Sequence, residues 1–319
     1  MTIAPAKPGR SLTTKPRIGL ALGGGGARGL AHILVLEVFD ELGIKPAMIA
    51  GTSIGALFGA AYASGLSAAH IRAATEETLS RRFDMVRQLF AARSDPVQKL
   101  LNLLPLRHAL LNPQALLDLV LPSQVARDFA DLRIPLQLVA TDLNLQAAHV
   151  MQSGSLRDAI AASIAIPVIF QPVQRGGFTL VDGGLVNPLP FDLLGADVDI
   201  TIAIDVTGAS STDLQVAAQP TALLVAAQSL QILQKSITVE KLRSRQPDVY
   251  IDVQLDKFNA LEFHKFADIL KAAAPAKDAL KRQLVRILGA ETLPSPTTTV
   301  RQPRSIEGAP RDQRAGTDK

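Results

Sequence analysis

One serine of this sequence lies between two glycines in a spacing that is typical of a nucleophile. Ser53 is the centre of GTSIG at residues 51–55, between a short apolar run and a segment of small, helix-forming residues. In a strand–turn–helix of this kind the serine occupies a strained turn, and side chains two positions away on either side would clash. The N-terminus of the next helix also favours negative charge. The pattern predicts Ser53 as a nucleophile, with Gly51 and Gly55 as the glycines of its elbow.

A run of four glycines precedes the first predicted helix and could bind an anion. GGGGARG at residues 23–29 lets successive backbone N–H groups point outward at a helix N-terminus. Gly24, Gly26 and Gly29 fit a dinucleotide-binding loop, but the acidic residue expected after the second strand is missing. A P-loop would need Lys and Ser or Thr where Leu30 stands. The remaining candidate is the oxyanion of a tetrahedral intermediate, which requires a nucleophile nearby.

The proton of such a nucleophile needs an acceptor, and three aspartates are candidates. Asp142, Asp182 and Asp205 each end an apolar, strand-like run. Asp182 alone of the three is followed by two glycines, which allow another loop to approach closely. Capping or turn formation is the simpler interpretation of Asp142 and Asp205. We therefore predict Asp182 as the base.

A histidine base is the main alternative. The chain order Ser, Asp, His of the α/β-hydrolases would require Ser53, Asp182 and His264. His264, however, lies in an apolar pattern of helical period, which favours a surface or packing role. His32, one turn into the first predicted helix, is interpreted in the same way. A Ser53–Asp182 dyad is the better prediction.

The elements that must position these residues alternate between strand and helix patterns. The strand–turn–helix unit occurs twice before Gly65, which favours an α/β fold with a parallel sheet. Strands are predicted at residues 17–22, 46–50, 136–141, 147–151, 178–181, 200–206 and 249–253. Helices are predicted at residues 27–42, 56–64, 67–92, 113–120, 155–164, 213–243 and 262–287.

No segment of the sequence is predicted to cross a membrane. Residues 46–69 carry no charge, but their glycines and serines are typical of a buried strand, turn and helix. Residues 1–17 lack the apolar stretch of a signal peptide, so a cytoplasmic location is expected. The absence of cysteine excludes a disulfide framework, a thiolate zinc site and an iron–sulfur cluster.

The positive charge of the chain is concentrated at its two ends. The 319 residues carry 33 Lys and Arg against 29 Asp and Glu. Residues 1–17 hold four bases and no acid, and residues 292–319 hold five bases and three acids, which leaves 24 bases and 26 acids in residues 18–291. We predict one globular domain at 18–291 between two disordered ends. Nucleic acid is not an expected partner, whereas the basic ends could attract an anionic bilayer weakly.

Three motifs taken in order resemble one known family. GGGGARG at residues 23–29, GTSIG at 51–55 and DGG at 182–184 are similar to the patatin-like phospholipases, particularly their bacterial single-domain branch, and the likeness covers about residues 17–290. It implies a three-layer α/β/α sandwich with a mostly parallel central sheet. It also implies a Ser–Asp dyad that uses neither histidine nor calcium, and no metal or other cofactor.

The resemblance can be carried over residue by residue. Ser53 then corresponds to the nucleophile and Asp182 to the base, and the oxyanion-hole loop is formed by Gly24, Gly25 and Gly26. Arg28 matches the basic residue that usually follows this loop. Ile54 stands where the family often has a smaller or unbranched residue, so its side chain could narrow the pocket.

The expected reaction is acyl transfer on a lipid or other acyl ester. Ser53 would attack the ester, and water would release the fatty acid from the acyl-enzyme. The apolar residues 83–111 and 164–170 are candidate walls of an acyl cleft, although a plain core role fits them equally well. A transacylase with the same dyad and a non-catalytic lipid-binding regulator are the alternatives. The oligomeric state is left open.

Overall fold

A computed structural model describes residues 16–91, 111–195, 197–208 and 222–289, and within them eight strands form one sheet. The strands are β1 (Ile18–Leu22), β2 (Met48–Thr52), β3 (Leu136–Asp142), β4 (Ala147–Met151), β5 (Val173–Arg175), β6 (Phe178–Asp182), β7 (Ile200–Asp205) and β8 (Val249–Asp252). Their order is β5-β6-β3-β2-β1-β7-β8, and β4 pairs with β3. The neighbouring strands β3, β2, β1, β7 and β8 are parallel. The strands β4 and β6 pair antiparallel with β3, and β5 pairs antiparallel with β6.

Seven α-helices of the described residues flank the sheet, each of them within or overlapping a segment that the sequence predicts as helical. They are α1 (His32–Glu41), α2 (Ile54–Ala63), α3 (Ala68–Ala91), α4 (Pro113–Val120), α5 (Leu156–Ser163), α6 (Ala222–Ser244) and α7 (Phe266–Leu288). Short 3-10 helices occur at Gly26–Ala31, Phe129–Asp131, Gly183–Leu185, Phe191–Leu193 and Phe263–Lys265. The predicted α/β fold with flanking helices is thereby confirmed.

The two faces of the sheet are covered differently, which gives the fold its three layers. Large side chains on one face belong to the main core, together with residues of α1, α2, α5 and α7; they are Ile18, Leu20, Leu22, Ile49, Ile202 and Ile204. The opposite face carries small residues, Ala21, Ala50 and Ala203. These pack with residues 189–194, and Leu242 of α6 lies against the same cluster. The near-continuous burial of β1 is what a central parallel strand requires.

Two local features differ from the sequence-based expectation. The predicted helix at 27–42 is a 3-10 helix over Gly26–Ala31 that continues as α1. The chain forms the tighter 3-10 turns directly after the glycine loop, because 3-10 geometry is common at the N-termini of α-helices. The strand β5 was not predicted, because its three residues are too few to show a period.

The uncharged segment at residues 46–69 folds as the sequence predicts. It contains β2, the Ser53 turn and α2, all of them buried in the domain. Among the described residues, no helix is both long and apolar enough to reach across a bilayer.

Several sequence-based predictions concern residues outside the described ranges. The predicted ends, apart from residues 16 and 17, and the larger part of the segment 83–111 lie outside the described residues. So do residues 213–221 of a predicted helix. Residues 164–170 were the other candidate wall of the acyl cleft. Of these, Ile164, Ile169 and Phe170 are buried in the main core, which supports the core interpretation for them.

Candidate active site

The geometry of the sheet brings Ser53 and Asp182 together. Thr52, the last residue of β2, pairs with Val139 of β3, and Asp182, the last residue of β6, pairs with the next residue of β3, Ala140. The Ser53 hydroxyl donates a hydrogen bond of 2.6 Å to Oδ2 of Asp182. Both residues are buried, with 6% and 3% of their surface exposed. Direct proton transfer between these side chains is therefore geometrically available.

The backbone of Ser53 is strained. Its φ of 55° and ψ of −123° lie in a region that side-chain-bearing residues rarely adopt, at a cost of about 1–3 kcal/mol. The flanking glycines make this turn feasible. A Cβ on Gly51 would lie 2.7 Å from the Gly55 carbonyl oxygen, and one on Gly55 would overlap the Leu22 carbonyl. This is the steric reason for which the sequence motif requires glycine at both positions.

The Asp182 carboxylate is fixed on both oxygens. Oδ1 accepts the backbone N–H of Gly184 at 2.7 Å, while Oδ2 accepts the Ser53 hydroxyl. The main chain of Asp182 is held as well, because its carbonyl accepts the Thr141 hydroxyl at 2.8 Å. Gly183 packs so tightly on the Val139 carbonyl that a Cβ would overlap it. Gly183 thus serves the close backbone approach that was expected of the glycines after Asp182.

Burial raises the pKa of Asp182 from 3.8 to about 6, although its hydrogen bonds from Ser53 and Gly184 act in the opposite direction. At neutral pH the carboxyl is still mostly ionised. It is therefore a stronger base than an aspartate in water while remaining able to accept a proton.

The glycine loop lies against the Ser53 turn, but its N–H groups are not equivalent. A Cβ on Gly24 would lie 3.3 Å from the Cβ of Ser53. The N–H of Gly24 donates to the Pro188 carbonyl at 2.9 Å. Among the described residues, no acceptor is found for the N–H groups of Gly25 and Gly26. Of the three predicted oxyanion-hole residues, these two retain a donor that a ligand could use.

Gly25 and Gly26 are held by backbone packing on their other side. A Cβ on Gly25 would lie 2.5 Å from the Val206 carbonyl oxygen, and one on Gly26 would overlap the Ala260 carbonyl. Gly26 also has a φ of 58°, which favours glycine. Side chains are therefore excluded from these two positions by Val206, the residue after β7, and by Ala260.

Ile54 supplies a donor that the sequence analysis did not include. It is the first residue of α2, so its N–H has no partner within the helix. In nucleophile elbows the N–H after the serine commonly contributes to the oxyanion hole, which is the signal that could have identified it. The Ile54 side chain is 8% exposed and packs on Gly29, where a Cβ would overlap it.

Arg28 is buried behind the glycine loop, with 2% of its surface exposed. Its Nε–H donates to the Gly25 carbonyl at 3.3 Å. Burial lowers the pKa of Arg28 to about 10, an effect that the charges of Asp205 and Asp256 oppose. The guanidinium stays protonated at neutral pH and orients the peptide that follows Gly25.

His32 and His264 take the packing and surface positions that the sequence predicts. His32 is fully buried, and its Nε2–H donates to the Gly23 carbonyl at 2.8 Å. Burial lowers the pKa of His32 to about 4, so the ring is neutral at pH 7. His264 is exposed in the 3-10 helix Phe263–Lys265. The group in contact with the Ser53 hydroxyl is a carboxylate and not an imidazole.

The other two aspartates form turns and local networks. Oδ1 of Asp142 accepts the N–H of Asn144 at 2.8 Å. Asp205 accepts the N–H of Thr207 and the hydroxyl of Tyr250. Within the described part of the chain, no group of three or more His, Asp or Glu side chains is arranged to hold a metal ion.

Comparisons with known proteins identify the family of the chain. A family profile described as patatin-like phospholipase matches residues 20–194. An uncharacterized NTE family protein of Mycobacterium bovis is 36% identical over 203 residues, which cover 62% of this chain and 51% of that protein. The patatin-like phospholipase domain-containing protein 6 of Homo sapiens is 32% identical over 202 residues, which cover 62% of this chain and 14% of the human protein. The chain thus matches about half of the mycobacterial relative and a smaller part of the human one.

A solved structure was also found. The crystal structure of VipD from Legionella pneumophila aligns with a TM-score of 0.45 and 14% sequence identity, covering 84% of this chain and 67% of VipD.

Proposed function

The chain belongs to the patatin-like phospholipase family, and on this basis we propose that it is a serine acyl hydrolase acting on fatty-acyl esters of phospholipids, lysophospholipids or related lipids. Ser53 is the nucleophile and Asp182 the base of the proposed reaction. The observation that carries the proposal is the hydrogen bond of 2.6 Å between the Ser53 hydroxyl and the buried Asp182 carboxylate. The strained turn at Ser53 directs the hydroxyl to the group that would take up its proton.

The first step would form an acyl-enzyme. Oγ of Ser53 attacks the ester carbonyl while its proton passes to Oδ2 of Asp182, so that a free alkoxide is never formed. The tetrahedral oxyanion is stabilised by the N–H groups of Gly25, Gly26 and Ile54, each worth about 3 kcal/mol of barrier. When the intermediate collapses, the carbon–oxygen ester bond breaks and the departing alcohol takes the proton from Asp182.

The second step would release the fatty acid. Asp182 accepts a proton from water, whose oxygen attacks the acyl-enzyme, and the same three N–H groups stabilise the second oxyanion. Collapse breaks the bond to Oγ of Ser53, and the proton on Asp182 returns to that oxygen. The enzyme is then restored, and one ester and one water have become one alcohol and one fatty acid.

We predict that kcat/KM falls as the pH drops below about 6, because Asp182, whose pKa is raised to about 6, can accept the serine proton only when it is ionised. The profile of a soluble ester between pH 4.5 and 8 should follow one ionisation and level off at higher pH. Samples held at each pH and assayed at pH 7 control for unfolding. An acid limb of kcat/KM with its midpoint near pH 4 would contradict the assignment of Asp182 as the base.

The proposal is tested with a fluorophosphonate probe and a lipid panel. The wild-type protein is expected to be labelled on Ser53 and to release fatty acid from at least one lipid class, whereas Ser53→Ala shows neither. Product mass spectrometry with added glycerol or lysolipid distinguishes hydrolysis from transfer to another acceptor. An unlabelled wild-type protein would contradict the proposal and favour a non-catalytic lipid-binding role.

Contact with a membrane surface is part of this proposal in a limited sense. A phospholipid substrate must be drawn from an aggregate or bilayer, and the bases of residues 1–17 and 292–319 could add up to about 1 kcal/mol each near an anionic surface. The acyl-transfer chemistry itself needs only the described site.

A further inference from the structure

Ser163 contacts the backbone of the proposed nucleophile from another element. It is the last residue of α5 and is fully buried. Its hydroxyl accepts the N–H of Ser53 at 2.9 Å and donates to the carbonyl of Val139 at 2.6 Å. A single hydroxyl therefore connects the elbow of the nucleophile with β3.

The ladder between β2 and β3 shows what this hydroxyl replaces. The N–H of Ile49 donates to the Pro135 carbonyl at 2.9 Å. In a parallel ladder alternate residues donate, so four residues further along each strand the corresponding bond would join the N–H of Ser53 to the carbonyl of Val139. The Ser163 hydroxyl is inserted between these two groups. It keeps both of them hydrogen-bonded while the chain leaves the sheet at Ser53.

The same short segment also holds the proposed base. The carbonyl of Ala165, two residues after Ser163, accepts the N–H of Asp182 at 2.9 Å. Ser53 and Asp182 are 129 residues apart in the chain. The end of α5 is thus a common support for both reacting residues.

We infer that Ser163 is a positioning residue of the reaction, because its hydroxyl holds Ser53 in the strained turn from which Oγ reaches Asp182. The inference rests on the proposed function. Strained backbone persists only where the surroundings determine it. Without the hydroxyl, the N–H of Ser53 and the carbonyl of Val139 would both be buried without a partner, and relaxation of the turn would move Oγ away from the carboxylate.

The test compares Ser163→Ala with a matched serine elsewhere. Ser64, at the other end of α2, makes the same pair of bonds, since its hydroxyl donates to the Ala60 carbonyl and accepts the N–H of Ala126. For Ser163→Ala we expect kcat to fall about 100-fold with little change in KM, since small misplacements of reacting groups have effects of this size. Labelling by the fluorophosphonate should slow in parallel. Ser64→Ala should keep wild-type kcat, whatever stability it loses.

A pH profile separates positioning from general loss of structure. The groups that face the Asp182 carboxyl are the uncharged Ser53 hydroxyl and Gly184 N–H. If Ser163→Ala moves the hydroxyl away, the carboxylate loses one of the bonds that hold its pKa down, and the acid limb of kcat/KM shifts to higher pH. The limb should not move in Ser64→Ala.

Ser163→Cys covers the case in which the alanine variant does not fold. It preserves the shape of the side chain but replaces a strong donor and acceptor with a weak one, so an intermediate loss of kcat is expected. Wild-type kcat and labelling rate in the cysteine variant or in a folded alanine variant would overturn the inference. So would an equal loss in Ser64→Ala. If the wild-type protein itself is not labelled, the proposed function has failed instead.

Discussion

Asp182→Asn is expected to lower kcat/KM for a lipid ester by about 10⁴-fold or more, a loss of the size seen when one member of a catalytic set is removed. The amide has nearly the shape of the carboxylate and can still accept the N–H of Gly184 through its oxygen. It cannot take up the proton of the Ser53 hydroxyl. The site would therefore keep its geometry and lose its base.

The loss is measured with a soluble ester and with fluorophosphonate labelling of Ser53. Asp142→Asn is a matched control, because Asp142 is likewise buried at the end of a neighbouring strand, where its Oδ1 caps a turn. His264→Ala controls for a histidine base. Both are expected to retain wild-type activity. Activity that survives Asp182→Asn but disappears in His264→Ala would replace the dyad with a triad.

Asp182→Asn is also expected to change the stability of the protein. The pKa of Asp182 is raised from 3.8 to about 6 by burial, so the folded state favours the protonated form. Between pH 4 and 6 the native protein retains a proton that the unfolded chain has lost, and stability therefore falls as the pH rises through this interval. Above about pH 7, where Asp182 is ionised in both states, the cost is constant at about 3 kcal/mol.

Asparagine is uncharged at every pH and escapes this cost. We expect the free energy of unfolding of Asp182→Asn to exceed that of the wild type by up to about 3 kcal/mol at pH 8, with the difference vanishing near pH 4. Urea titrations at both pH values measure it. A gap of equal size at pH 4 and pH 8, or a less stable variant at pH 8, would contradict the prediction. An inactive but more stable protein is the usual sign of a residue retained for function.

Some features of the site were determined locally and could be predicted from the sequence. Gly51 is required by the turn itself, because a Cβ there would meet the Gly55 carbonyl oxygen, whereas Gly55 is required by Leu22 at the end of the neighbouring strand β1. The strand and helix periods around them are local, which is why β2 and α2 lie within two residues of their predicted bounds. Asp182 could be selected among three aspartates because close approach needs glycines beside it.

Other features depend on contacts between distant segments. No sequence spacing gives the distance between Ser53 and Asp182, since it arises from the pairing of β2 and β6 with consecutive residues of β3. The N–H of Gly24 was predicted as a donor to an oxyanion, but its carbonyl partner, Pro188, comes from far along the chain. Ser163 lies in the predicted helix at 155–164, and no sequence pattern shows that its hydroxyl would meet the backbone of Ser53 and of Val139.

The sequence by itself determined which residue types could do the chemistry and in which turns they stand, because a tight turn or a close approach requires glycine and the glycines stand beside Ser53 and Asp182 in the chain. The tertiary structure decided which N–H groups remain available, how close the proposed base and nucleophile lie, and how far burial raises the pKa of Asp182. These are properties of the surroundings of an atom, and the surroundings exist only once strands distant in sequence have paired.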